Sequence, residues 1–295
     1  MANTTLARPA AIRPTNPPER VSHARRRPNW GGGVMSIVWL VIILVPIYYI
    51  VITSISKPGE FYTRNPLVPP TDPTFDSYSL VLQSGFPLYL LNSVLVTVGS
   101  VALTVVFCVP AAFAIVRSRR RLVRVTYSLF LLGLAVPLQA TIVPLFYMFN
   151  VIGLYDTLWA IILPSAAFAI PITILVLVNF LRDIPGELFE SMRVEGATNG
   201  QILRQLVIPL ARPAIATVII YDALQSWNGF LLPLVLTQSD SDRTLPLGLS
   251  NFQGLFGVNV PATLAAVVLS AIPILALYIL ARRQLISGLT AGIGK

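Results

Sequence analysis

Six apolar runs of 20 to 29 residues, each without lysine or arginine, decide what this 295-residue chain can become: Val34–Ser56, Leu88–Val116, Val125–Phe149, Thr157–Leu181, Pro213–Leu236 and Ala262–Ala281. Crossing about 30 Å of hydrocarbon takes roughly 20 apolar residues in helical form. Backbone groups with no water to bond must be satisfied within the segment, which selects helices. The short alternating segments of a membrane barrel are absent from the sequence. The expected fold class is therefore all-α, a polytopic membrane protein with six transmembrane helices. Charged residues make up 11% of the chain, against roughly 25% in soluble domains, which excludes the soluble enzyme classes. Prolines inside the runs (Pro46, Pro110, Pro137, Pro144, Pro164, Pro171, Pro233, Pro273) predict kinks that neighbouring helices must re-satisfy.

The basic residues orient the chain. Eighteen of the 21 lie in the N-terminal tail, in 117–124, in 182–212 and in the C-terminal tail; three lie in 57–87 and 237–261, and none in 150–156. Cytoplasmic loops carry the lysine and arginine excess of membrane proteins, so both termini are expected in the cytoplasm. An even number of spans agrees. The chain divides into a disordered basic tail over 1–33, a six-helix membrane domain over 34–281 containing the loop 182–212, and a cytoplasmic tail over 282–295. Arg25-Arg26-Arg27 suits attraction to anionic lipid, and the apolar run behind it is too long for a twin-arginine signal. The net charge of +9 is thus the basic excess of a membrane protein, and no nucleic-acid partner is expected. No internal repeat is visible, which counts against an inverted-repeat secondary transporter.

Catalytic sets are incomplete. One cysteine, Cys108, and one histidine, His23, exclude an intrachain disulfide and histidine- or cysteine-based metal sites. Gly248-Leu249-Ser250 resembles a serine-protease loop, but no histidine stands near to activate the serine. Tyr221-Asp222 resembles an aspartyl-protease pair but lacks the second intramembrane Asp. Gly294-Lys295 is no phosphate loop, so ATP is not hydrolysed by this chain itself. No catalytic residue, metal or bound cofactor is expected. Asp222 is the only acidic residue within the runs. A mid-membrane carboxylate costs about 2.5–3.5 kcal/mol, so it is either functional or a satisfied packing group, and the two readings stand level. It shares its run with Gln225, Trp227 and Asn228, and positions 222, 225 and 229 fall on one helical face that looks into protein or water. Asn92 reads as a packing or interfacial residue.

The loop 182–212 is long for a connector and has its own order signals. Asp183 and Pro185 suit a helix start. Leu188, Phe189 and Met192 make one apolar face, with Glu187, Glu190 and Arg193 largely opposite. Gly196 breaks the run, Thr198 or Asn199 caps a second short helix, and Pro209 ends it. Two short helices joined at a glycine form a knob at the membrane surface; the alternative is an interfacial helix lying on lipid.

The run Glu190-Ser-Met-Arg-Val-Glu-Gly-Ala, followed by Ile208-Pro209, resembles the glutamate-alanine-alanine loop (E-A-A-x-x-D-G-A, later L-P) of bacterial ATP-binding-cassette (ABC) importer permeases. Ser191 and Met192 replace the two alanines and Glu195 the aspartate; Glu190, Gly196, Ala197 and Pro209 stand in register. Asn92-Ser93, Trp227-Asn228 and the tail from Gly288 to Gly292 resemble the carbohydrate-importer branch, in particular the smaller permeases of maltose-type systems. The resemblance covers about 35–295. It implies a permease forming half of a translocation pathway, with a second homologous permease, two ATPase subunits that carry ATP and magnesium, and an extracytoplasmic solute-binding protein that delivers a sugar. By the same resemblance, Glu187, Glu190, Met192, Arg193, Glu195, Gly196, Ala197 and Thr198 contact the ATPase. Gly288, Leu289, Thr290, Ala291 and Gly292 reach between the ATPase subunits. Leu247, Gly248, Asn251 and Gln253 approach the binding protein. Asp222, Gln225, Trp227 and Asn228 are candidates for the path. Trp227 either stacks on a sugar ring or packs between helices, and packing is favoured. A stand-alone proton-coupled transporter using Asp222 is the competing class; a membrane enzyme is the third.

Overall fold

The computed structural model describes residues 30–63, 65, 67–254 and 257–291, with 251–254, 257–258 and 280–291 described by their backbone alone. Among the described residues fourteen α-helices follow one another: α1 (Trp30–Ser54), α2 (Pro58–Phe61), α3 (Asp76–Gln83), α4 (Phe86–Arg117), α5 (Arg121–Leu132), α6 (Leu138–Val151), α7 (Leu158–Arg182), α8 (Gly186–Val194), α9 (Asn199–Ile202), α10 (Ile208–Leu210), α11 (Arg212–Trp227), α12 (Leu231–Leu236), α13 (Leu245–Gly248) and α14 (Val260–Ala291). The strands β1 (Gln253–Gly254) and β2 (Gly257–Val258) form a two-rung antiparallel ladder. The basic tail expected over 1–33 lies outside the described residues up to 29, and Gly31–Gly33 belong to α1. Residues up to Val45 form one unit and those from Pro46 another. In the first, 30–45 are apolar and exposed on every side.

Among the described residues, four helices are long and apolar enough to cross a membrane, and six spans result if each of two bent pairs counts as one. The third expected run is bent by 104° between Arg121–Ala135 and Leu138–Val151. The hinge is Val136, extended as residues before proline are, with Pro137 opening α6. The fifth expected run stops at Trp227 and restarts at Leu231, while the chain entering it turns by 75° near Ala211. Pro110, Pro144, Pro164, Pro171 and Pro273 lie inside continuous helices.

The centre is the α4–α7 pair, packed along its length. Helices in lipid gain nothing from burying apolar surface against each other, so close approach and hydrogen bonds hold them. Ser100, Thr104 and Cys108 recur every fourth residue on α4 and face the Ile162, Ala166 and Ile170 carbonyls of α7, with Ser100 Oγ 3.4 Å from the first and Thr104 Oγ1 3.5 Å from the second. Gly99 completes the approach: an added Cβ would sit 3.1 Å from the Ile162 side chain.

Candidate functional site

The residues in question gather at the two ends of α4 and beside its middle. From Ser93 to Arg117, at 1.5 Å per residue, the ends lie about 36 Å apart.

At the Arg117 end stands the glycine-hinged knob. α8 closes in a Schellman turn, with the Ala197 N–H donating to the Met192 carbonyl (2.9 Å) and the Gly196 N–H to that of Arg193 (3.0 Å). Gly196 has φ 83°, which glycine adopts without a Cβ clash. Thr198 caps α9 in a capping box: its N–H donates to Gln201 Oε1 (2.7 Å), and the Gln201 N–H donates to its Oγ1 (3.4 Å). Two details differ from the sequence expectation. Asp183 closes α7, and α8 starts after Pro185 without a side-chain cap. Pro209 does not end the second helix, which winds on through a π turn over 203–207 and α10, because residues at N1 or N2 of a helical turn need no donor.

The knob is held by one aromatic side chain. Phe189 is 2% exposed, stacks on Phe113 of α4 (centroids 6.3 Å apart) and lies under the Arg117 guanidinium, 4.6 Å from its ring centre. Ile202 and Val207 enter the same cluster between α4 and α7. Of the expected apolar face only Phe189 is buried; Leu188 is exposed and Met192 half-buried. Glu187, Glu190, Arg193, Glu195, Gly196 and Thr198 are exposed, Ala197 is half-buried, and Val194 at the tip is 90% exposed. The turn is fixed by four internal hydrogen bonds and carries an exposed valine between Arg193 and Glu195.

At the Ser93 end, α4 holds the 237–250 segment. Asn92 Nδ2 donates to the Ser241 (2.7 Å) and Arg243 (2.9 Å) carbonyls, and the Leu245 N–H donates to Ser93 Oγ (2.8 Å). Leu247 and Gly248 are buried, and an added Cβ at 248 would overlap the Tyr89 ring, 2.9 Å from its Cε2. Both residues shape the packing of the segment on α4. The side chains of Asn251 and Gln253, and those of Gly288–Gly292, lie outside the described residues. Asp156, at φ 59°, clasps the segment from the α6–α7 turn. Its carboxylate accepts the Ser239 hydroxyl and the N–H groups of Gln238 (2.7 Å) and Ser239 (2.8 Å). Those bonds, the hydroxyl first, hold its carboxyl below the ordinary value. A carboxyl lowered on folding stabilises above the unfolded value and loses that effect as pH falls through the lowered one. Hydrogen exchange of the 237–244 peptide, corrected for intrinsic rate, should accelerate on acidification. In Asp156→Asn it should already be fast at pH 7 and vary little.

Beside the middle of α4 lies a cavity of about 220 Å³, lined by α4, α6, α7, α11 and α12. Asp222 reaches it at 3% exposure, with Oδ2 accepting the Thr173 hydroxyl of α7 (2.9 Å) and Oδ1 bonded to no protein group. Gln225, Ser226 and Gly229 share its wall, so the face inferred from spacing is real. Trp227 does not belong to it. It is 8% exposed, packs with Tyr89, Leu245 and Ala265, and borders a separate apolar groove. Asn228 is exposed and donates to the Leu224 carbonyl of its own helix (2.8 Å). Sequence reasoning passed over Phe113, Arg117, Asp156, Thr173 and Ser226. Of these only Arg117 carried a local signal, as the first cation after a span.

A family model described as "Binding-protein-dependent transport system inner membrane component" matches residues 105–285. The chain is 38% identical over 258 residues to the ABC transporter permease protein ORF2 of Caldicellulosiruptor sp., covering 88% of this chain and 94% of that one. It is 32% identical over 275 residues to the trehalose transport system permease protein SugB of Mycobacterium tuberculosis (92% and 99% covered). It is also 32% identical over 263 residues to the diacetylchitobiose uptake system permease protein DasC of Streptomyces coelicolor (89% and 95%). Among solved structures, a chain of a bacterial ABC transporter that imports the acidic polysaccharide alginate superposes with a TM-score of 0.75 at 25% identity, over 86% of this chain and 95% of that one. The chain thus belongs to the family of inner membrane components of binding-protein-dependent transport systems, the permeases of ABC transporters.

Proposed function

We propose that this chain is the smaller permease of an ATP-driven importer of a sugar or oligosaccharide. It crosses the membrane six times with both termini in the cytoplasm and pairs with a second, homologous permease. Two ATPase subunits bind ATP and magnesium, and a solute-binding protein delivers the sugar on the outer side. The chain itself is not an enzyme. The observation that carries the reading is the knob over 186–201, prefolded by its own hydrogen bonds and seated on α4 through Phe189. When the ATPase pair closes, force on Val194 and its charged neighbours Arg193 and Glu195 passes through Phe189 into α4, whose other end holds the 237–250 segment. A rigid helix with both contacts at its ends fits a rigid-body switch between two states. The sugar relatives and the alginate importer support the substrate class.

Reconstitution separates this reading from a proton-coupled transporter. Proteoliposomes holding the whole complex and its binding protein should accumulate sugar with internal ATP and without a proton gradient. Flux through this chain alone, driven by a gradient and indifferent to ATP, would contradict the proposal.

A further inference from the structure

We infer that the cavity beside Asp222 is a subsite for a hydroxyl-bearing carbohydrate unit on its way across the membrane, an inference that rests on the importer reading above. Two buried oxygens face it without a protein partner, Asp222 Oδ1 and Ser226 Oγ, one helical turn apart on α11. Neither oxygen is bonded within the protein, so both are available to a polar molecule that enters the cavity. The backbone is also broken there. α11 ends at Trp227, and Gly229, in the cavity wall, allows the turn, since a Cβ at 229 would lie 3.0 Å from the Ser226 carbonyl oxygen. Irregular backbone at membrane depth is tolerated where it lines a polar cavity. The volume is well above the roughly 10–15 Å³ that one water requires.

The chemistry of the wall selects the ligand. A carboxylate oxygen accepts hydroxyl donors strongly, and a serine hydroxyl both gives and accepts. The rings of Phe168 and Phe230 offer apolar faces to the C–H side of a sugar. A metal cation is disfavoured: hard cations take about six or more oxygens, and no cluster of three or more acidic, histidine or cysteine side chains exists among the described residues.

Ser226→Ala gives the sharpest test, because the hydroxyl makes no protein hydrogen bond and its loss costs the fold none. The whole complex with its binding protein is reconstituted and offered radiolabelled maltose, trehalose, cellobiose and diacetylchitobiose. For a sugar that the wild type accumulates, sugar carried per ATP hydrolysed should fall at least fivefold in Ser226→Ala and in Asp222→Asn, which retains an acceptor for Thr173. A ratio within twofold of wild type in both variants overturns the subsite while leaving the importer intact; a wild-type complex that accumulates no sugar overturns the importer reading and the subsite with it. A measurement on the unaltered protein stands beside these. Labelling of Asp222 by dicyclohexylcarbodiimide, read by peptide mass, should drop severalfold when the transported sugar is present. Labelling that the sugar leaves unchanged, or that sodium ions suppress instead, overturns the carbohydrate assignment.

Discussion

In a Phe189→Ala variant, ATP-driven uptake should fall at least tenfold while the subunit still inserts and assembles. Removing a buried phenylalanine typically costs about 3–5 kcal/mol, part of it for the cavity left behind. Here the ring is the one fully buried side chain of α8, it stacks on Phe113, and it covers Arg117, whose Nε has no other partner. The α4–α7 pair packs along its length through other residues, so the loss falls chiefly on the seating of the knob. ATP hydrolysis should continue with little sugar moved, and limited proteolysis should cut the 186–201 segment faster. A variant that transports normally would show that force does not pass through Phe189.

Gly196→Val tests the hinge in a different way. Space is not the constraint, because an added Cβ at 196 meets nothing within 4 Å. The backbone is: φ 83° lies where a β-branched residue is a true outlier, at a cost of about 1–3 kcal/mol. The Schellman turn would open, and Thr198 would no longer cap α9 two residues after the hinge. Uptake should drop about tenfold or more in Gly196→Val, and much less in Gly196→Asn, because asparagine visits the left-handed region far more readily. Equal loss in both would point to steric contact with a partner in place of backbone strain.

How much of this was legible in the sequence depended on how local each cause was. The apolar runs and the knob were readable, since the runs are set by hydropathy and the Gly196 turn and Thr198 cap by residues within a few positions. The bend at Val136–Pro137 falls on one of the prolines from which kinks were expected, but its 104° size was not readable, and neither was the break at Gly229. Hydropathy counts are blind to direction, and Pro110, Pro144, Pro164, Pro171 and Pro273 lie inside continuous helices. Partners distant in sequence were invisible: Thr173 to Asp222, Asp156 to Ser239, Asn92 to Arg243. Leu247 and Gly248 were assigned to the binding-protein contact by resemblance alone, which carries no information on their burial. Asn92, Ser93 and Tyr89 pull that segment down onto α4, and this is why both residues are buried.

The coupling role of the knob is tested most directly by cross-linking from its tip. With Val194→Cys carrying a short photoactivatable probe in the assembled complex in membranes, the adduct should fall on the ATPase subunit, and its yield should change between nucleotide-free and ATP-bound states. Adducts with lipid alone, unchanged by nucleotide, would contradict the account.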